Sequence, residues 1–200
     1  MRKVIGLLGV KGAGKDTCAQ YLVKEAGFVR IGFADALYRE VVEAFGIDTQ
    51  TLGNRATKET GLPVLALKRC ADLQFVEVAI GLLTRERSLR RGAIHFLKTG
   101  EYPKGVSRRR INELLDTPRS PRWTMQLWGT EYRRQSKYGV DSYWLDRVRD
   151  IIDANPAQSY VVTDVRFRNE AGYIRSYGTG TGLLCRVRRP ELEEREARDR

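Results

Sequence analysis

The segment GVKGAGKDT, Gly9 to Thr17, constrains this 200-residue chain more than any other. It satisfies GxxxxGK between a short apolar run, Lys3–Gly9 (KVIGLLG), and a helical pattern from about Gly14 to Ala26. That strand–loop–helix context is what a phosphate-binding loop requires. Glycines at 9, 12 and 14 let the backbone take positive φ and bring its N–H groups close to phosphate oxygens. The helix that begins here adds its positive end. Lys11, Gly12, Ala13, Gly14, Lys15, Asp16 and Thr17 are thus the candidate cradle for ATP, with Lys15 reaching the β- and γ-phosphates. A glycine turn that binds nothing is the bland alternative, and the agreement of spacing, lysine and flanks weighs against it. Asp16 stands where the standard loop has a Mg²⁺-holding Ser or Thr, and Thr17 follows one place later. One residue is about 100° of helix, so the two side chains cannot serve the same point. The expectation is that Asp16 faces Mg²⁺, because a hard cation favours a carboxylate oxygen.

Further short apolar runs at Phe28–Phe33, Ser159–Val165 and Gly182–Val187 read as strands. Helical patterns are expected at Ala34–Phe45, Val64–Leu83, Arg108–Leu115, Trp123–Gln135 and Tyr143–Ala154. Strands spaced by helices predict an α/β fold of the P-loop NTPase type, a parallel sheet flanked by helices. The whole chain reads as one kinase domain. Residues from about 48 to 122 read as a helical insertion that covers the substrate site. The Glu/Arg-rich end after Pro190 reads as an exposed helix or a frayed tail.

The formal net charge is +11. From Arg85 to Arg122 eleven Lys/Arg stand against four Asp/Glu. Such a run is either a solvated helical face or an electropositive mouth for nucleotides or nucleic acid. Three scattered cysteines and one histidine exclude a disulfide framework or a structural zinc site, and point to a reducing cytoplasm. Val4–Val10 is too short for a membrane span, so a cytoplasmic chain without a membrane partner is expected. His95 carries no catalytic signature, and Trp144, Met125, Leu127 and Trp128 read as packing residues.

Three segments carry further chemistry. In SYVVTDVRF, Asp164 ends a buried strand, where open parallel sheets place their ligands. It could hold Mg²⁺ as the Walker-B acid does, or it could simply cap a strand end with Arg166. Arg166 presents a fork suited to phosphate. In IGFADAL, Asp35 is either a proton acceptor and orienting group for the acceptor phosphate or a helix N-cap. In WTMQLWGTEYRR, Gln126, Thr130 and Arg134 recur every four residues and would share a face, with Gly129 allowing close approach. Arg122 and Arg134 are candidates to stabilise charge on the transferred phosphoryl group, Arg133 being the alternative to Arg134.

Taken together, GVKGAGKDT, IGFADAL (Ile31–Leu37), WTMQLWGTEYRR (Trp123–Arg134), VVTDVRFRNEA (Val161–Ala171) and LLCRVRRP (Leu183–Pro190) resemble the deoxynucleoside monophosphate kinases of tailed phages. The match covers both ends of the chain and is weak between residues 45 and 118. The resemblance implies transfer of the ATP γ-phosphoryl group to a (deoxy)nucleoside monophosphate with Mg²⁺, in a host cytoplasm. It implies catalytic roles for Lys15, Arg134, Asp164 and Arg166, and metal roles for Asp16 and Asp164. Phe33, Asp35, Arg39, Arg122, Gln126, Gly129, Thr130, Arg166, Asn169 and Glu170 would hold the substrate. Family members often carry a lysine shortly after IGFADAL, where this chain has Tyr38 and Arg39. A kinase for another phosphorylated metabolite is the next reading, and a nucleic-acid-binding P-loop ATPase the one after. No nucleic-acid partner is expected, because no recognised motif or interleaved aromatics accompany the basic run. Whether the chain forms a homodimer is left open.

Overall fold

The computed structural model describes residues 2–177 and 181–192. The backbone divides into two compact units, one of residues 1–36 with 142–200 and one of residues 37–141. The second unit contains residues 48–122 together with flanking residues on both sides.

Among the described residues the first unit is built on four parallel strands: β1 (Val4–Leu8), β2 (Val29–Ile31), β3 (Tyr160–Val162) and β4 (Gly182–Arg186). Their order is β2-β3-β1-β4. Register pairs Val4 with Tyr160 on one side and with Gly182 on the other. The central strands β1 and β3 carry VIGLL and YVV, the apolar runs that a strand covered on both faces needs. Alternation along β1 then divides the layers. Leu7 clusters with Ala19 of helix α1 (Lys15–Ala26), with Phe28 and with Val161. Gly6 faces the other way: a Cβ there would lie 3.2 Å from Ile174 of a later helix and 2.8 Å from Leu184. Helices thus cover both faces of the sheet.

Helix α2 (Phe33–Phe45) follows β2 after the single residue Gly32 and carries the chain into the second unit. There follow α3 (Thr49–Gly53), two 3₁₀ turns at Pro63–Leu65 and Leu67–Arg69, then α4 (Leu73–Leu83), α5 (Arg87–Thr99) and α6 (Arg108–Asp116). The long helix expected over Val64–Leu83 is cut short by Asp72. Its carboxylate accepts from the N–H groups of Gln74 and Phe75 and starts α4 there, while Cys70 is extended. The expected helix Trp123–Gln135 is also divided. An α-helical turn, α7 (Pro121–Gln126), gives way to a π-helical segment over Leu127–Tyr132. The core of this unit is aromatic: Phe75 stacks on Trp128 with ring centroids 4.4 Å apart, and Tyr132 and Phe45 meet them edge-on or tilted.

The chain returns to the first unit through α8 (Tyr143–Ala154), which coincides with the expected helix and buries Trp144. Helix α9 (Arg168–Ser176) lies between β3 and β4 and packs against β1 and β4. Most of the tail after Pro190 lies outside the described residues. No described helix is long and apolar enough to cross a membrane.

Candidate active site

The phosphate loop has the backbone that its glycines permit. Gly9, Gly12 and Gly14 have φ of 147°, 83° and 98°. At Gly9 a Cβ would also sit 2.4 Å from the Val187 carbonyl, so both conformation and space demand glycine there. Gly14 is the N-cap of α1 and offers no side-chain acceptor, so the first-turn N–H groups are left to an anion. The Lys15 ammonium donates to the carbonyls of Gly9 (2.7 Å) and Val10 (3.0 Å), which folds it across the loop mouth. Lys11, Asp16 and Thr17 are exposed, Ala13 is buried, and Gly12 is open to solvent.

The turn after β3 is organised by two carboxylates. Both oxygens of Asp164 accept from the first N–H groups of α2, Phe33 and Ala34, at 2.8 Å each. Gly32 makes this approach possible, since its missing Cβ would lie 3.1 Å from Asp164 Oδ2. Burial raises the Asp164 pKa, and the two backbone bonds oppose the rise. Capping of α2 therefore falls to Asp164 and not to Asp35, which corrects the N-cap alternative for Asp35. The Asp35 carboxylate instead takes both its oxygens to Arg30 Nη1, at 2.8 and 2.9 Å. Arg30 also lines a depression of about 580 Å³ with Asp16, Ala19, Gln20 and Val23, on the side of α1 that starts at the phosphate loop. Phe33, expected at the substrate, is 4% exposed, so its side chain is a core group.

Glu170 departs from its expected place in the same way. Its side chain is 2% exposed and accepts from the N–H groups of Arg166 (2.8 Å) and Phe167 (3.0 Å). It fixes the bend from which the exposed Arg166 projects, and a buried carboxylate so used is not a surface that touches a nucleotide. Asn169 is exposed and accepts from the Glu170 N–H through Oδ1.

In the second unit, Arg39, Arg122 and Gln126 are exposed, while Thr130 and Arg134 are half-buried. Arg122 pairs with Glu59. The π-helical turn changes the pattern that placed Gln126, Thr130 and Arg134 on a strict four-residue stripe. The N–H groups of Arg133 and Gln135 reach back five residues, to Trp128 and Thr130. Gly129 is buried, and a Cβ there would meet Leu37 at 3.2 Å, so the missing side chain admits α2. Arg133 is held by Glu40 at 2.7 Å, an acceptor it shares with the Trp128 indole N–H at 2.8 Å. That ion pair ties Arg133 to α2.

A strand-ending glycine cradle at a helix N-terminus is a phosphate-binding device, and the relatives agree. The family model for deoxynucleotide monophosphate kinase matches residues 3–196. The chain belongs to that family. It is 28% identical over 190 residues to a protein of Acanthamoeba polyphaga mimivirus assigned as a deoxynucleotide monophosphate kinase, covering 94% of this chain and 75% of the relative. It is likewise 28% identical over 186 residues to the deoxynucleoside-5'-monophosphate kinase of Escherichia phage T5, covering 88% of this chain and 72% of the relative. Membership makes this kinase a nucleoside monophosphate kinase by class.

Among the described residues no group of three or more His, Cys, Asp or Glu side chains could hold a metal. Asp16 offers an exposed carboxylate of the kind Mg²⁺ takes, while both oxygens of Asp164 are already engaged by the first N–H groups of α2. That ion is ordinarily held by one or two carboxylates together with substrate phosphates and water. The sequence reading missed Arg30 and Glu40. Arg30 lies on an edge strand five residues before Asp35, and a cation that close to a motif acid across a one-glycine turn was the available signal. Glu40 had none, because its partners are 88 and 93 residues away.

Proposed function

We propose that this chain transfers the γ-phosphoryl group of ATP to a deoxynucleoside monophosphate, giving ADP and the deoxynucleoside diphosphate. The observation that carries the reading is the phosphate loop: three left-handed glycines ahead of a helix whose first turn has no side-chain cap. An acceptor phosphate oxygen attacks the γ-phosphorus, and the bond to the bridging oxygen breaks. The electron pair stays on the β-phosphate of ADP. No covalent enzyme intermediate is needed, because the protein positions and neutralises.

Loop N–H groups from Lys11 to Thr17 hold the triphosphate. Lys15 exchanges its two loop carbonyls for β- and γ-phosphate oxygens, and so follows the charge as it moves. Asp16 and Asp164 would hold Mg²⁺, which would supply charge neutralisation at the phosphates. Arg166, aimed by Glu170, and Arg134 stabilise the equatorial oxygens. Arg39, Arg122, Gln126, Thr130 and Asn169 hold the acceptor, and Asp35 orients its phosphate while paired to Arg30.

The deciding experiment is ADP release with ATP and a panel of dGMP, dTMP, dCMP, dAMP and their ribo-counterparts. Turnover is expected with at least one deoxynucleotide and not without an acceptor. Lys15→Ala is expected to reduce turnover by about a thousandfold or more with an unchanged circular dichroism spectrum. Equal turnover in that variant overturns the site, and turnover only with some other phosphorylated metabolite overturns the acceptor.

A further inference from the structure

The solvated face of α5 is a row of cations. Arg87, Arg91 and Lys98 are exposed and lie within about 40° of one another around the helix axis, and His95 about 40° beyond. The buried residues Leu89, Gly92 and Ala93 hold the other side of the helix. Arg87 to Lys98 spans roughly 16 Å of rise, with about 6 Å between Arg87 and Arg91. None of these cations has a carboxylate within ion-pair distance among the described residues. Of the nearby acids, Glu86 takes Arg110 at 2.6 Å and Glu113 takes Arg109 at 2.7 Å, while Glu101, just past the end of α5, is exposed and does not ion-pair with Lys98. Lys98 feels only the longer-range field of Glu77, itself bonded to Lys137 and Tyr138. Ordinary solvated helices offset a cation with an acid three or four places away, and α5 does not.

Against the expectation drawn from sequence motifs, we propose that this face of α5 binds the phosphate backbone of nucleic acid. Unpaired cations along one line, about 6 Å and then about 10 Å apart in rise, complement a polymer that carries its charges along a line. The contact reads no sequence. The ring of Phe96 lies on the far side of α5, stacked on Tyr102 at 4.3 Å, so no aromatic platform stands in the row to take a base. Binding is therefore sequence-neutral and steeply salt-dependent. None of the cations belongs to the nucleotide site proposed above, so the two readings stand or fall separately.

The test is fluorescence anisotropy with a mixed-sequence single strand and the matching duplex, titrated from low to about 200 mM salt. Compared are the wild-type chain, Arg87→Gln/Arg91→Gln/Lys98→Gln, and a control with the same charge change, Lys3→Gln/Lys24→Gln/Arg175→Gln. The α5 variant is expected to flatten the slope of log K against log salt by roughly 2.7 on duplex and 2 on single strand, that is, three phosphate contacts. A scrambled sequence of equal length should bind equally, and kinase turnover should be unchanged. Equal flattening by the control overturns the proposal, since charge spread over the whole surface would then suffice. An unchanged slope in the α5 variant overturns it, as does a loss confined to polyglutamate titrated in parallel, which would make the face a protein-docking surface. Should the triple variant unfold, Arg87→Gln and Arg91→Gln alone each carry the same test, at about 0.9 of slope apiece.

Discussion

Glu77 ties the segment after the π-helical turn to α4. Its carboxylate accepts from the Tyr138 hydroxyl and from Lys137 Nζ, the latter at 3.0 Å. The Tyr138 bond, then Lys137, holds its pKa below the usual glutamate value, because both favour the ionised form. The sign follows directly: the folded state binds this proton less readily than the unfolded chain. The stabilisation is complete above the unfolded pKa, about 4.3, and is lost as pH falls through the lower folded value. Glu77→Gln should therefore lower the urea midpoint at pH 7, and the gap from wild type should narrow as pH falls below about 4. A gap that stays constant across that range would show that the charge of Glu77 plays no part. Residues of this kind were hidden in the sequence. Lys15 and the three glycines are legible because their chemistry is local and their spacing is read along the chain. Glu170, Arg30 and Glu77 acquire their roles from partners fixed by the fold. A carboxylate in RFRNEA looks the same whether it meets solvent or two backbone N–H groups.

Elements were legible where one periodicity held throughout. The strands β1, β3 and β4 and the helices α6 and α8 stand where their apolar patterns put them. Errors fell where a side chain or a bulge changes the backbone inside an apolar run. Asp72 starts a helix in the middle of one, and the π turn at Leu127–Tyr132 inserts a five-residue step into another. The π turn is held from one side by Glu40 of α2, which accepts from Trp128 and Arg133, and from the other by Asp72, which accepts from the Tyr132 hydroxyl at 2.7 Å. The Glu40 and Arg133 side chains are only 20% and 17% exposed, so water replaces little of what a mutation removes. Glu40→Ala should destabilise the fold by about 3 kcal/mol in urea titration, because it removes the shared acceptor of a desolvated guanidinium and an indole N–H. It should also disturb the phase of Thr130 and Arg134, and so reduce turnover more than the stability loss alone would. A cost below roughly 0.5 kcal/mol, the range of a surface substitution, would mean that Glu40 does not hold the turn.

At the scale of the molecule, each unit has its own core. The first buries Leu7, Ala19, Phe28 and Val161 around the parallel sheet, and the second buries Phe75, Trp128 and Tyr132. Most of α2 and residues 121–141 belong to the second unit together with residues 48–122. Two cores allow two opening free energies, and amide exchange reads them separately. Under the proposed function the donor nucleotide binds the loop of the first unit. A ligand at a hundredfold its dissociation constant stabilises what it binds by about 2.7 kcal/mol. ATP with Mg²⁺ at that excess should slow the β1 and β3 amides about a hundredfold, and the α4 amides by clearly less. Lys15→Ala should abolish the effect at the same nucleotide concentration. Identical slowing of β1 and α4 would mean that the two cores open as one block. No slowing anywhere would mean that the glycine cradle does not hold a triphosphate, and the kinase reading would lose its donor.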